Sequence, residues 1–433
     1  MADELPPQDE LPPGVNRPGR RGRFARLAVD TSPLRESRNF RLLWTGQMVS
    51  YIGSQITLVA IPFQVYEITG STLAVGLISL FELVPLLAFA LLGGAVADAT
   101  DRRRLILLTE IGLMAVTGGL VANALLDEPR VWILYVLAAL AVACWSLGAP
   151  AMRSLVPQLV TKEQIPAAMA LEGIYGSLGA VAGPALAGVL IAAVGLPLTY
   201  GLDVLTFAAS LATVWALPRF PPVPDADQAG LRSILEGLRF VRNRKVLLGI
   251  FVVDTNAMVF GMPSALFPAV ADRQFDAGAE VVGLLYAAPY AGALVASVLS
   301  GWMAQVHRQG VAVAIAAACW GLAIVGFGLA TALWLALFML ALAGAADTVS
   351  AIFRSTIVFA ATPEGMRGRI LGIELAQVAS APTLGNVEAG VVAALTNIRT
   401  SIVSGGILCI AGTAVACLAI PALIRYDARE PDR

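Results

Sequence analysis

The sequence predicts an all-α membrane protein: twelve transmembrane helices in two six-helix halves. Three observations lead there. Hydrophobic residues make up 58% of the 433 positions and charged residues only 14%, with a mean hydropathy of +0.77, whereas soluble domains are about 25% charged. Apolar stretches of about 20 residues, the length that crosses a hydrocarbon core of about 30 Å as a helix, recur almost end to end. Basic residues cluster on alternate connections, as they do when short cytoplasmic loops retain Lys and Arg.

The twelve stretches fall at about 41–66, 71–98, 104–126, 131–153, 166–195, 198–217, 246–270, 281–304, 311–329, 332–353, 370–396 and 401–424. With both termini inside, 26 of the 29 basic residues lie on the inner side, leaving Arg130, Arg273 and Arg399 outside. This predicts a multi-pass protein of the cell membrane with cytoplasmic termini. Residues 1–38 are rich in Pro, Gly, Asp and Arg and have no apolar core before Phe40, so they read as a disordered cytoplasmic tail rather than a cleavable signal.

The first six stretches occupy 39–217 and the last six 246–425, followed by a short tail, 426–433. Between the halves, 218–245 starts Pro-rich and continues with apolar residues at 231, 234, 235, 238 and 241 among basic ones. That spacing suits either a helix lying on the inner leaflet or a solvated linker helix. The halves echo each other: Arg153-Ser154 ahead of Thr161 and Glu163 matches Arg354-Ser355 ahead of Thr362 and Glu364, and Gly94-x-x-Ala97-Asp98 matches Gly301-x-x-Ala304-Gln305. Such duplication suits two bundles that rock about a central site.

The composition also excludes function classes. One histidine, His307, rules out a multi-histidine metal site, and Cys144, Cys319, Cys409 and Cys417 sit in apolar stretches without ligand spacing. No metal or cofactor is expected. A net charge of −1 argues against nucleic acid. The chain lacks both a nucleotide-binding loop and a nucleophile-and-base motif, so neither ATP drive nor an enzyme is predicted.

The connection between stretches two and three carries Gly94, Asp98, Arg102, Arg103 and Arg104. Gly94 permits close helix approach, Asp98 suits the start of a facing helix, and the arginines suit anionic lipid or an acidic partner. We read Gly94, Asp98, Arg102 and Arg103 as a conformational latch. In this form the loop resembles that of the major facilitator superfamily, Gly-x-x-x-Asp-x-x-Gly-Arg-Arg, with Asp101 where the family prefers Gly. The resemblance covers about 40–425 and implies the major facilitator fold, alternating access, a small-molecule substrate and a monomer in the lipid bilayer. Gly179, Gly183, Pro184 and Gly188 in stretch five are similar to the motif of the family's drug and proton antiporters. The arginine many antiporters carry within stretch four is missing, since Arg153 stands at its end.

The second half narrows the resemblance. Val253-Asp254-Thr255-Asn256 through Pro263, Leu266-Phe267-Pro268-Ala269, Gly283-Leu284-Leu285-Tyr286 and the Arg367-Gly368-Arg369-Ile370 loop resemble the group holding siderophore exporters, the enterobactin exporters among them, and macrolide and multidrug efflux proteins. This implies efflux, with siderophore-like and broad drug substrates as the two readings. A membrane sensor or partner protein without a transport cycle is the rival of another class.

Ionisable groups inside membrane spans are costly and usually face a cavity or a partner. Glu82, Asp254 and Asp347 are therefore candidates for proton or cation coupling, with Asp347 also placed to join Arg354 in an ion pair. Asp203 and Glu388, in outer thirds, are expected to snorkel outward. Glu110, Glu172 and Glu374 are expected to pair with loop arginines. Gln47, Ser54, Gln55, Tyr286 and Tyr290 suit a cavity for a large amphipathic ligand, and each suits helix packing equally.

Overall fold

The computed structural model describes residues 30–220 and 231–429, with side chains except at 90–95, 97, 98 and 231–235. The regular structure of these residues is helical throughout. In the first half the helices are α1 (Ser32–Glu36), α2 (Arg38–Thr69), α3 (Thr72–Ala99), α4 (Arg102–Ala124), α5 (Val131–Leu159) and α6 (Ile165–Trp215). They are followed by α7 (Leu231–Asn243), α8 (Lys245–Phe260), α9 (Phe267–Phe275), α10 (Ala279–Val298), α11 (Gln309–Leu329), α12 (Leu333–Ala361), α13 (Glu364–Leu395), α14 (Ile398–Ala419) and α15 (Pro421–Arg425). Eleven helical segments are long and apolar enough to cross a membrane.

Eleven segments make twelve crossings because α6 is double. Its 51 residues run about 77 Å at 1.5 Å per residue, more than twice the hydrocarbon thickness. The chain bends at Gly195, whose φ of 77° and ψ of 170° need a residue without Cβ. The two arms of α6 are the expected stretches five and six. Stretch seven departs from expectation: α8 stops at Phe260, and a short 3₁₀ turn, Ser264–Leu266, leads into α9. Pro263 has no N–H to continue the helix, and other side chains bind the freed backbone. Trp320 donates to Gly261 O at 3.0 Å, Tyr286 Oη to Ser264 O at 3.0 Å, and Ala265 N to Asn386 Oδ1 at 3.0 Å.

The ends of the spans are set by local chemistry. Ser37, Ser71 and Asn397 cap α2, α3 and α14 with their side chains, and Gly70 closes α2 at φ 61°. Asp101, the residue that departs from the family loop, caps α4 by accepting from Arg104 N at 3.1 Å. Residues 32–36 form a short helix within the segment expected as a tail. The latch residues Gly94 and Asp98 lie on α3, but their side chains are outside the described set.

Within the first half, α2 packs on α6, α3 on α5, and α4 on both α5 and α6. In the second, α10 packs on α12, α11 on α12 and α14, and α13 on α8. Two pairs, α3 with α13 and the first arm of α6 with α10, join the halves most extensively. Each of these four helices contains a proline: Pro85, Pro382, Pro184 and Pro289.

The two membrane ends differ. At the end holding residues 70, 195, 276 and 397, both halves share apolar cores: Ile56, Val59 and Ala187 pack with Leu266, Phe267, Val282 and Leu285, and Val75, Ile78 and Tyr200 share a cluster with Ala265, Ala269 and Ala279. At the opposite, Arg-rich end each half has its own core. Phe40, Leu43, Leu105, Leu155 and Val214 form one, and Ile250, Val253, Val313, Phe353 and Leu423 the other. On the second half, α7 sits against α13 and α8, with Glu236 and Arg369 paired at 2.8 Å.

Candidate functional site

Faces that touch at one end are bare at the other. On α3, Gly76 lies against the backbone of Asn386 and Gly390, whereas Leu80 and Val84, four and eight residues on, are 43% and 70% exposed. On α13 the stripe running back from Gly390 reaches Val378, Leu375 and Leu371, all exposed. The pair of α6 and α10 repeats this: Gly188 and Gly283 touch, while Ser177 and Tyr290, on the same stripes, are exposed. Residues at i and i+4 share a helix face, so the helices diverge toward the Arg-rich end. A cleft between the halves, closed at one end, follows from that divergence.

The antiporter-like motif occupies the closed side of this cleft. A Cβ at Gly179 would stand 2.5 Å from the Tyr51 ring, and at Gly183 2.4 Å from Gln55 Cβ, so both admit α2. At Gly188 it would meet Ala279 O at 2.5 Å, so this glycine admits α10 instead. Pro184 O lies directly against Gly283. Three glycines on one arm thus seat it against its own half and against the other.

The closed end carries polar bridges as well. Tyr66 donates to Asp272 Oδ2 at 2.9 Å, Arg273 donates to Gly70 O at 2.8 Å, and Thr72 donates to Gly390 O at 3.4 Å. Each joins the first half to the second. Tyr66 and Asp272 escaped the sequence reading because residues 206 positions apart share no local signal.

Trp44 and Tyr51 on α2 and Tyr175 on the first arm of α6 form an edge-to-face cluster with ring centroids 6.2 and 6.0 Å apart. Tyr290, on α10, is within electrostatic range of Tyr51 and of Asp347. Glu82 lies within the same range of Tyr286. The structure therefore brings Glu82, Asp347, Tyr286 and Tyr290 to one region from α3, α12 and α10. The Tyr286 hydroxyl is occupied by Ser264 O, Gln55 is buried against Gly183, and Ser54 donates to Ser50 O at 3.0 Å.

Asp254 is only 4% exposed and is bound to Arg354. Gln377 Nε2 reaches Asp254 Oδ2 at 3.1 Å, Thr255 Oγ1 at 2.8 Å and Phe251 O at 3.0 Å. Asp347, more exposed, stands 3.9 Å from Arg354 Nη1. An apolar stretch that ends at 353 predicts Arg354 on a cytoplasmic loop. In fact α12 continues to Ala361 and buries Arg354. Its counterpart Arg153 is exposed.

Two further expectations change. Asp203 does not snorkel outward: it is fully buried and accepts from Thr57 Oγ1 at 2.5 Å and Thr206 Oγ1 at 2.9 Å. Glu110 is not held by a loop arginine: it accepts from Gln47 Nε2 at 2.9 Å, and Gln47 also donates to Ser210 Oγ at 3.1 Å. Of the latch arginines, Arg103 donates from Nε to Val214 O at 3.2 Å and from Nη2 to Trp215 O, binding carbonyls at the end of α6 where a cation is favoured. Arg102 is buried, its backbone N–H donating to Phe220 O.

Comparison with known proteins completes the picture. The enterobactin exporter EntS of Citrobacter koseri is 32% identical over 389 residues, covering 89% of this chain and 92% of that protein. EntS of Escherichia coli O81 is 31% identical with the same coverage. Among solved structures, a POT family transporter in complex with 5-aminolevulinic acid aligns with a TM-score of 0.71 at 12% identity, over 89% of this chain and 97% of that one. A bacterial homologue of the lysosomal transporter Spinster gives a TM-score of 0.67 at 14% identity, over 92% and 99%. The family model described as transmembrane secretion effector matches residues 28–431. With that match across nearly the whole chain, and the fold just described, the chain belongs to the transmembrane secretion effectors of the major facilitator superfamily, a family of multi-pass membrane transporters rather than enzymes.

Proposed function

We propose that this transporter exports an amphipathic, siderophore-like small molecule from the cytoplasm by alternating access, in exchange for protons. The observation that carries the reading is the cleft: shared cores close it at one end, while separate cores leave it open at the Arg-rich end. On the positive-inside rule the Arg-rich end is cytoplasmic and both termini lie there. A cleft open to the cytoplasm is the loading state of an exporter. The aromatic cluster of Trp44, Tyr51 and Tyr175 supplies flat apolar surface, and Glu82 with Asp347 supplies ionisable groups beside it. The relatives named as enterobactin exporters support a siderophore-like substrate for such walls.

In this reading the halves rock about their glycine and proline contacts, opening the closed end as the cleft seals at the other. The loop with Asp98, Arg102 and Arg103 acts as a latch at the Arg-rich end, and α7 rests on anionic lipid. The test is uptake into inverted membrane vesicles under a proton gradient, comparing an iron-free catecholate siderophore with a macrolide and a cationic dye. Selective siderophore uptake supports the proposal. Uptake of all three replaces it with broad drug efflux, and uptake of none in energised vesicles overturns export of these substrates.

A further inference from the structure

The first half holds buried acids that the cleft does not use. Glu110 is 6% exposed and Asp203 0%, and among the described residues no cation lies within ion-pair distance of either. Their partners are neutral. Glu110 Oε1 accepts from Gln47, while its Oε2 is buried with no hydrogen-bond partner. Asp203 is held by the Thr57 and Thr206 hydroxyls.

These groups belong to one polar seam inside the helices, between α2, α4 and α6. Along it stand Gln47 with Glu110 and Ser210, then Thr57 with Asp203 and Thr206, then Gln64 with Tyr200 at 3.0 Å. From Ser210 to Tyr200 the seam covers about 15 Å of α6 at 1.5 Å per residue. The second half solves the same problem differently: its buried acid, Asp254, has Arg354. A buried ionised carboxylate with one bare oxygen is far costlier than its neutral acid. Neutral donors and an unfilled oxygen are the surroundings of a carboxyl that carries its own proton.

We infer that Glu110 is a proton-binding site inside the first half, separate from the cleft, linked by the Ser210 seam to Asp203. The groups facing it are Gln47 from α2, and Ser210 and Asp203 from the second arm of α6. Arg102 lies eight residues back, about 12 Å along the helix. Because Gln47, Glu110 and Ser210 come from three helices, any shift among α2, α4 and α6 changes what Glu110 Oε1 touches. A shift of these helices against one another within the half therefore exchanges the proton: the packed arrangement keeps it, and admission of water to Oε2 releases it.

The binding site stands on the geometry alone; its part in transport rests on the reading of the chain as a proton-driven exporter. The test is infrared difference spectroscopy between acid and alkaline buffers on the full chain in lipid nanodiscs. A protonated-carboxyl band is expected in the parent protein, with one component lost in Glu110→Gln, moved in Glu110→Asp and Ser210→Ala, and kept in Glu82→Gln. A Glu110→Gln spectrum matching the parent overturns the site. Should that variant not fold, Ser210→Ala decides in its place, an unmoved band overturning the site. In vesicles loaded through a proton gradient with the iron-free catecholate probe, Glu110→Gln is expected to lose the response to the gradient while retaining gradient-free exchange. A retained response overturns the coupling role. Failure of the parent to take up the probe counts against the export reading and leaves the infrared result standing.

Discussion

Arg354 and Asp254 form an ion pair inside the second half, joining α12 to α8, and Gln377 of α13 binds the second oxygen of the same carboxylate. Three helices are thereby tied at one carboxyl group. Removing one partner of a buried pair strands the other charge, at about 3–5 kcal/mol, whereas replacing both by apolar groups is often close to neutral. Arg354→Met alone should therefore lower the melting temperature in detergent sharply, and Arg354→Met with Asp254→Leu should recover most of the loss. Equal melting of the single and double variants would show that the pair does not hold the helices.

The glycines of the first arm of α6 give a second prediction, and it separates two kinds of contact. Gly183→Ala presses on a Gln55 side chain, which can give way in part; Gly188→Ala presses on the Ala279 carbonyl, which is backbone. Overpacking costs about 1–3 kcal/mol. Gly183→Ala should act on stability within the first half. Gly188→Ala should instead prise the closed end apart, seen as a longer distance between spin labels at Ile68 and Ala394. An unchanged distance in a folded Gly188→Ala protein would refute this.

The bridge from Tyr66 to Asp272 gives a third. A hydrogen bond contributes about 1 kcal/mol net, and one to a charged group about 1.5–3, so Tyr66→Phe should shift the balance of closed and open states by about ten-fold, since 1.4 kcal/mol is a factor of ten. The Ile68 to Ala394 distance distribution should gain a longer component. Asp272→Asn keeps an acceptor and should have the smaller effect. The reverse order would assign the role to charge rather than to the hydrogen bond.

Much of the fold was legible in the sequence because span length and basic asymmetry are local properties. Even the bend at Gly195 is marked there, by the short gap between two apolar stretches too long to be one. The break at Gly261–Pro263 was passed over, since an apolar run through residue 270 looks continuous when the partners of its freed carbonyls, Trp320 and Tyr286, lie far along the chain. The site was legible only as a list of costly residues. Glu82, Asp254 and Asp347 stand out by charge, yet which of them is paired depends on how far α12 extends and on where Arg354 then points. Glu110 and Asp203 were discounted on depth alone, because sequence position gives depth in the membrane and not the helix face.

That distinction bears on Glu82. Among the described residues no arginine pairs with it, unlike Asp254, and no ring of hydroxyls holds it, unlike Asp203; it stands half-buried near Tyr286. A carboxyl at that place can exchange protons with cleft water in one state and meet the substrate in the same cavity. Glu82→Gln keeps its size and removes the titration. In inverted vesicles the variant should fold and still exchange the siderophore probe, while accumulation no longer responds to a proton gradient. Glu82→Asp should retain some response, since it keeps the acid and only shortens its reach. Accumulation by Glu82→Gln equal to the parent would show that coupling does not pass through this carboxyl.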